Sequence, residues 1–585
     1  MRPTLVPREM GGARVRPDVS LVYVGSAREQ AAAAAAFFAI LFFAFLGSYA
    51  RALDTNSGNW DSYFGNSAAW SYSALSQIDR RSVARLLPAW AFSTAQEGLS
   101  ATPLVIDGVL FLSTPGNDVF ALDAATGHRF WTYRHKVAEG HGGTRAALGL
   151  AAGFGLIFLA ATDHHLIAID SKSGREVWNV QISDPKQCGC GPGVAPLLVK
   201  DKIVIGVSSS DNAHRGYLDA FDARSGRHVW RFWVIPGPGE PGHDTWPEDL
   251  WKLGTSSTWQ VGSYDAALNL VYWGVGNPGP MLGSSYAGNK LYSDSLLALD
   301  ADTGKLKWYF QQIPDDKFDY DSVLEPVLID GNELGRVRKY VVQPTKSGFA
   351  YVIDRETGKF VRGYPFADMI NWTKGLDQSG HPLEPRLQLK PGIETLVCPG
   401  VFGARAMGHS TYSPRTRLWY NSSYEVCTLE TPLSGTPPRE GQPFNAGGYE
   451  KSRVPANTHP FVGAFDPITG DRKWTYPTNS VNTSSLLSTA GDLIFGGDVF
   501  GNVWALDAET GAKLWSFNVG TGISSMPISY AVDGRQYIAV SAGLSFVASV
   551  LANEVIAPER QPELPPGGSV LFVFALPQPV AGPNP

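Results

Sequence analysis

Cysteine is scarce in this chain, four among 585 residues, and charge is modest at 17% with no run of five like charges. A net charge of -6 and a pI near 6.0 provide no basic field for holding a polyanion, which sets nucleic acid aside as a partner. No Cys-x-x-Cys-His occurs, so covalent haem is not expected. Extended apolar runs are also missing after the first 50 residues. The one such stretch, residues 31–47, follows Arg2, Arg8, Arg14, Arg16 and Arg28 and leads to Ala50-Arg51-Ala52, small residues of the kind signal peptidase needs. Residues 1–52 therefore read as a cleaved signal peptide; as an uncleaved anchor the stretch is barely long enough to span a bilayer. No adjacent Arg pair precedes it, which indicates the general secretory route. Export to the periplasm suits cysteines that can pair: Cys398 with Cys427 by spacing, while Cys188-Gly-Cys190 reads as a local disulfide, two free thiols or soft metal ligands.

Glycine, proline and tryptophan are plentiful, at 63, 41 and 17, and the Gly and Pro fall between short apolar runs. A turn unit recurs: ALDAATGHRFW ends at Trp131, and close copies end at Trp178, Trp230, Trp308, Trp474 and Trp515. A seventh, VIDRETGKFVR, has Arg362 in the Trp position. The Asp of each unit lies at the end of an apolar strand, where its side chain can bond the backbone two residues on, and the Gly supplies a left-handed turn. The Trp on the return strand is placed to dock between neighbouring sheets. The Asp positions 123, 170, 222, 300, 354, 466 and 507 lie mostly 41 to 54 residues apart, room for four strands per unit. The longest step, Asp354 to Asp466, has room for a further unit without a turn signature, with strands at 412–423. The expectation is an all-β, eight-bladed β-propeller with tryptophan-docking repeats over residues 53–585, closed by a strand around Trp90 pairing near Ile538 to Ser541. A solenoid would have shorter, more uniform repeats.

The turn unit, the opening NWDSYFGN, RGYLDAFDARSG after Arg215, GVGNPGP around Asn277, DDKFDYDS around Asp319 and QPTKSGFAYVIDRETG around Lys346 together resemble the pyrroloquinoline quinone (PQQ) dehydrogenases. The resemblance runs from about Asn56 to Phe574, and the Cys398 and Cys427 separation is similar to a structural disulfide of that family. A shared fold does not by itself transfer an activity.

Chemistry alone leaves two readings of Asp315, Asp316, Asp319 and Asp321, oxygen ligands for a hard cation or a solvated acidic loop. Asp319 and Asp321 would share a side in an extended segment, where two carboxylates repel unless a cation or proton separates them. The resemblance implies that Asp319 is the general base, that Asp211, Asn277, Asp319 and Asp321 hold Ca²⁺ or a lanthanide, and that Trp259 is the floor on which PQQ stacks. It also implies that Lys346 polarises the quinone and that Ser208, Ser209, Ser210 and Ser257 bond cofactor carboxylates. Asp211 replaces the family's Glu, and Asp321 looks like the additional carboxylate of lanthanide-using members.

The departures are specific. The adjacent cysteines that cap the quinone are absent from GTRAALGLA at 143–151, and a family Arg, Glu and Asn correspond to Leu148, Ser100 and Ala406. Cys188-Gly-Cys190 is expected near the cofactor as a partial replacement for the cap. The implied activity is oxidation of a small-molecule alcohol, with electrons passing to a soluble or membrane c-type cytochrome. Leu544, where many members have Trp, implies a roomier pocket, lined by loops at 542–550 and 483–487. The alternative is a cofactor-free propeller acting as a binding or assembly module.

Overall fold

In the computed structural model the residues described are 58–578 apart from 138–148, 210, 283–285, 287, 334–335, 434–436, 446, 450–453, 456–457, 557 and 566. All of them belong to one compact unit, Asn56–Pro585. The proposed signal peptide, Ser210 and most of the 143–151 stretch lie outside the described residues.

Each turn unit folds as its residues dictate. Asp123 accepts from the backbone of Ala125 and Thr126 at 3.0 and 2.8 Å and from the Thr126 hydroxyl at 2.9 Å, and Gly127 turns at φ +76°. The unit is the third turn of an antiparallel sheet made of Leu104–Ile106, Val109–Ser113, Asp118–Asp123 and Arg129–Arg134. The same sequential order recurs in residues 151–181, 197–233, 263–311, 327–365, 411–477 and 487–518. One further sheet is assembled from both ends of the unit: Leu87–Ser93 pairs with Val570–Ala575, which pairs with Arg535–Ala542 and so with Ile528–Val532. The result is an all-β propeller.

Two expectations are corrected. The strand around Trp90 pairs with Val570–Ala575, one strand away from Ile538 to Ser541, because Val570–Ala575 is inserted between them. The strands in 412–423 are not a unit of their own: Leu418–Ser423 pairs with Phe461–Phe465, which leads into the Asp466 turn, so the long step holds an insertion inside one sheet. Two strands of that insertion, Thr428–Pro432 and Gly447–Tyr449, form a three-stranded sheet with Thr395–Val397 from the preceding link, next to the Cys398–Cys427 disulfide.

The rings meet the glycines of the following unit. A Cβ on Gly174 would lie 2.6 Å from the Trp131 ring, and the Trp131 indole N–H donates to Ser171 O at 3.1 Å. Trp90 meets Gly127, Trp178 meets Gly226, Trp230 meets Gly304, Trp308 meets Gly358 and Trp474 meets Gly511 in the same way. In the unit with Arg362, Tyr364 takes this place: its ring covers Gly470 and its hydroxyl donates to Pro467 O at 3.0 Å. Residues 362 and 364 share one side of a strand.

Antiparallel order puts the first and third turns of each sheet at one end, and the second turn and the link to the next sheet at the other. The Asp-Gly units therefore gather at one end of the propeller. The second turns and links, freed from the repeat, build the opposite end.

Candidate active site

At that opposite end a cavity of about 360 Å³ is lined by Asp211, Ser257, Trp259, Asn277, Asp319, Asp321 and Lys346. Each comes from a second turn or a link: Asp211 follows Lys202–Ser208, Asn277 follows Leu270–Gly274, and Lys346 lies between Arg336–Pro344 and Phe349–Asp354. The sequence reading thus named seven residues that the fold brings onto one wall. Ser209 stands behind the wall, its hydroxyl 2.9 Å from that of Ser257, and Ser208 is buried with a hydroxyl that has no partner among the described residues.

The acidic loop is organised by its members. Asp316 is buried and accepts from the backbone of Phe318 and Tyr320 at 3.0 and 2.8 Å, which fixes the turn. Asp315 is drawn away to Lys290 and Lys317. Asp319 adopts a left-handed backbone at φ +65°, so the segment is not extended as expected. The two carboxylates still converge, because Tyr320 turns inward to donate to Pro399 O at 2.6 Å and both acids reach Lys346.

Lys346 Nζ lies 2.9 Å from Asp319 Oδ2 and 3.2 Å from Asp321 Oδ2, all three side chains buried. Asp321 Oδ1 accepts from the Asn277 backbone at 3.1 Å. Burial lowers the Lys346 ammonium, but Asp319 and Asp321 outweigh it and hold the group above its ordinary range. Asp319 is pushed well above the usual carboxylate range by burial, opposed by Lys346 and reinforced by the nearby charges of Asp211 and Asp321. The cation or proton expected between the two carboxylates is, in this structure, the ammonium of Lys346.

The donor set, three carboxylates and the Asn277 amide, is all oxygen and suits a hard cation. The three carboxylates are not drawn within 4.8 Å of one another, and the Lys346 ammonium stands between two of them. The Asn277 side-chain NH₂ is buried without a partner among the described residues, so its amide can still turn toward a ligand. Trp259, 7% exposed, forms part of the wall for a flat ring, and Ser257 offers a hydroxyl. These residues fit PQQ and a cation together.

The remainder of the cavity is apolar: Met281, Val401, Phe402, Ala406, Met407, Tyr449, Phe546, Val547 and Val550. Three of these come from the helix Phe546–Val555, capped by Ser545, in the expected 542–550 stretch. Leu544 and residues 483–487 do not line the cavity; Leu544 packs beside Val499 and Gly522. Cys188 and Cys190 form a disulfide but are not on the wall either, so the expected partial cap is not found there.

A buried network next to Ala406 has no signature in the sequence. Glu325 accepts from Arg405 Nη2 at 2.8 and 3.0 Å and from the Ser410 backbone at 2.8 Å, and lies 3.1 Å from His409 Nδ1. Burial alone would raise the Glu325 carboxyl, yet Arg405 and its other partners hold it well below the usual range. Two further acids, Asp294 and Glu430, are buried with neither oxygen partnered among the described residues. Burial raises both, Glu430 to about 8. None of the three belongs to a recognisable motif, and only their burial singles them out.

A family model described as the PQQ glucose/ethanol/alcohol dehydrogenase β-propeller domain matches residues 60–364 and 471–538. The chain is 32% identical to the quinoprotein alcohol dehydrogenase PedH of Pseudomonas putida, over 87% of the chain and 89% of that protein. It is 31% identical to the lanthanide-dependent methanol dehydrogenase of Methylacidiphilum fumariolicum, over 90% and 93%. Among solved structures, a europium-containing methanol dehydrogenase superposes with a TM-score of 0.83 at 30% identity, covering 89% of this chain and 98% of that one.

Proposed function

This chain belongs to the family of PQQ-dependent alcohol dehydrogenases, oxidoreductases acting on CH–OH, and we propose that it oxidises apolar alcohols to aldehydes or ketones in the periplasm and passes the electrons to a separate c-type cytochrome. The convergence of Asp211, Asn277, Asp319, Asp321, Trp259 and Lys346 on one cavity carries this reading. Two disulfides and the basic-then-apolar N-terminus support export. The lack of Cys-x-x-Cys-His supports an external electron acceptor.

PQQ, when bound, supplies a two-electron acceptor for hydride from the carbinol carbon. Trp259 and Ser257 would hold the ring, and Asp211, Asn277 and Asp321 would hold the cation, Ca²⁺ or a lanthanide; Asp321, a carboxylate in addition to Asp211, favours the higher charge. Asp319 Oδ2 is engaged by Lys346, which leaves Oδ1 to take the hydroxyl proton. The Lys346 ammonium balances negative charge arriving at the site. The apolar walls, above all Phe402, Tyr449 and Phe546, favour alcohols larger than methanol.

The scaffold for this site is an eight-bladed ring. Seven sheets bearing turn units, the mixed terminal sheet and the relay of Trp and Tyr rings onto glycines support that count. Reconstitution of purified protein with PQQ and either Ca²⁺ or La³⁺, followed by dye reduction with a panel of alcohols, tests the activity. Absence of bound-cofactor absorbance with both ions would overturn the enzyme reading and leave the binding-module alternative.

A further inference from the structure

Behind the serines of the cofactor wall lies a group of soft ligands that alcohol oxidation does not use. Among the described residues, the one cluster of three His, Cys, Asp or Glu ligand atoms within 4.8 Å of one another is His164, Cys188 and Cys190. The local sequence brings them together. Asp184 caps the short helix Pro185–Cys188 by accepting from the Lys186 backbone, and Gly189 ends it in a left-handed turn at φ +58°. A Cβ there would lie 2.4 Å from Gly441 O, and Asn212 Nδ2 donates to Gly189 O at 2.8 Å, so the loop is held on both sides.

His164, fully buried, comes from the turn between Leu156–Ala160 and His165–Asp170. Cys190 Sγ is 3.8 Å from His164 Nδ1. Ser183 Oγ touches the same nitrogen and lies 3.5 Å from Cys188 Sγ and 3.7 Å from Cys190 Sγ. Two sulfurs and a nitrogen thus lie within 4.8 Å of one another, with the Ser183 hydroxyl beside them. In a tetrahedral zinc site with bonds of about 2.3 Å to sulfur and 2.0 Å to nitrogen, ligand S and N atoms sit about 3.5 Å apart, close to the separation seen here. Burial lowers the imidazole pKa to about 4, so the ring is neutral at physiological pH, as a ligand must be. Cys190 is buried, and half-buried Cys188 leaves a route in.

We propose that Cys188, Cys190 and His164 form a redox-gated site for a thiophilic cation, Zn²⁺ or Cu⁺, closed as the disulfide seen here and opened by a dithiol reductant. The reductant gives two electrons and two protons and becomes a disulfide; the Cys188–Cys190 S–S bond breaks to two thiols. Binding of a divalent ion then releases those two protons as the sulfurs become thiolates. The loop continues into Gly191–Pro192, which pairs with Ser208 and Val207, and Val194 N donates to Trp259 O at 2.8 Å, so the site is tied to the cofactor wall.

The test uses Co²⁺ as probe on the purified full chain, as isolated and after reduction with a phosphine, which adds no thiol of its own. Reduced wild type is expected to develop a thiolate-to-cobalt charge-transfer band that saturates at one ion per chain and is lost on adding Zn²⁺. The oxidised protein and reduced Cys188→Ser/Cys190→Ser should lack it, and His164→Ala should weaken binding at least tenfold. Cobalt held by the oxygen-lined cavity gives no thiolate band. Protein produced in a reducing cytoplasm provides a measurement without added reductant: one zinc more per chain in wild type than in Cys188→Ser/Cys190→Ser. Absence of the band in reduced wild type, or equal zinc in the two proteins, overturns the proposal and leaves a structural disulfide only.

Discussion

Replacing Lys346 by Met tests whether its ammonium holds the place of a cation. The side chain is 6% exposed and balances Asp319 and Asp321 at 2.9 and 3.2 Å. Removing one partner from a buried ion pair typically costs about 3–5 kcal/mol, because the other charge is left uncompensated. Unfolding entropy of about 2.1 cal/mol/K per residue, over about 500 residues, gives about 1 kcal/mol/K, so the variant should melt about 3–5 °C lower without metal. A cation at 100 times its Kd contributes about 2.7 kcal/mol, or about 3 °C, and in the variant it enters without competing against the ammonium. Wild type should gain less, since Lys346 must first release Asp321. Calorimetry of both proteins without cofactor, with and without La³⁺, reads the difference. An equal cation response in the two, or a variant that melts with wild type, would refute the reasoning.

Asp319→Asn should lower kcat by about 10²- to 10⁴-fold, the usual contribution of a general base, while KM for the alcohol changes little in dye-reduction kinetics. Tyr364→Ala should cost about 3–5 kcal/mol by denaturant titration, as loss of a buried aromatic does, whereas Arg362→Ala should stay within about 0.5 kcal/mol; a larger effect at Arg362 would mean that Tyr364 does not stand in for the missing Trp. Glu325, held below its ordinary 4.5, stabilises the fold above that value, and this contribution drains away as pH falls below 4.5 through the depressed folded value. Wild type should therefore lose stability more steeply than Glu325→Gln in melts below pH 4.5. Phe546 is 73% exposed at the cavity edge, and Phe546→Ala should raise KM for benzyl alcohol or hexanol by about tenfold while ethanol changes little, a differential of about 1.4 kcal/mol of apolar contact.

The ring was legible because its signal is local. Asp and Gly act through one turn, and the Trp recurs at a fixed spacing from them within eleven residues, although it docks on the following unit. Arg362 looked like a defect only because a linear template cannot register that Tyr364, two residues on, faces the same way. Ring closure was placed one strand off for a related reason: Val570–Ala575 has no turn unit, so nothing in its sequence announces that it intervenes between Leu87–Ser93 and Arg535–Ala542. The site residues were found through resemblance to a family, and seven of them share a wall. Glu325 with Arg405 and His409 escaped because contacts across about 80 residues leave no pattern of spacing.

The topology explains why repeat and site can differ so much in regularity. A four-stranded antiparallel unit sends its Asp-Gly turn to one end and its second turn and link to the other. Every Asp-Gly turn has the same structural role, seating the ring of the preceding sheet, so each must resemble the next. Second turns and links are under no such common constraint. Asp211, Asn277 and Lys346 occupy the second turns of three consecutive sheets, while Trp259 and Asp319 lie on the links between them. The polar wall of the cavity is therefore assembled from one arc, residues 211–346, and the apolar walls come from 401–407, Tyr449 and the helix residues 546–550. Changes to those walls can alter which alcohol enters without moving a ligand or the base, since no second turn shares a strand-to-strand turn with the Asp-Gly units. The same separation makes the Cys188–Cys190 loop unusual: it extends the strand pairing directly behind Ser208, and it is where a change in redox state would reach the cofactor wall through backbone hydrogen bonds alone.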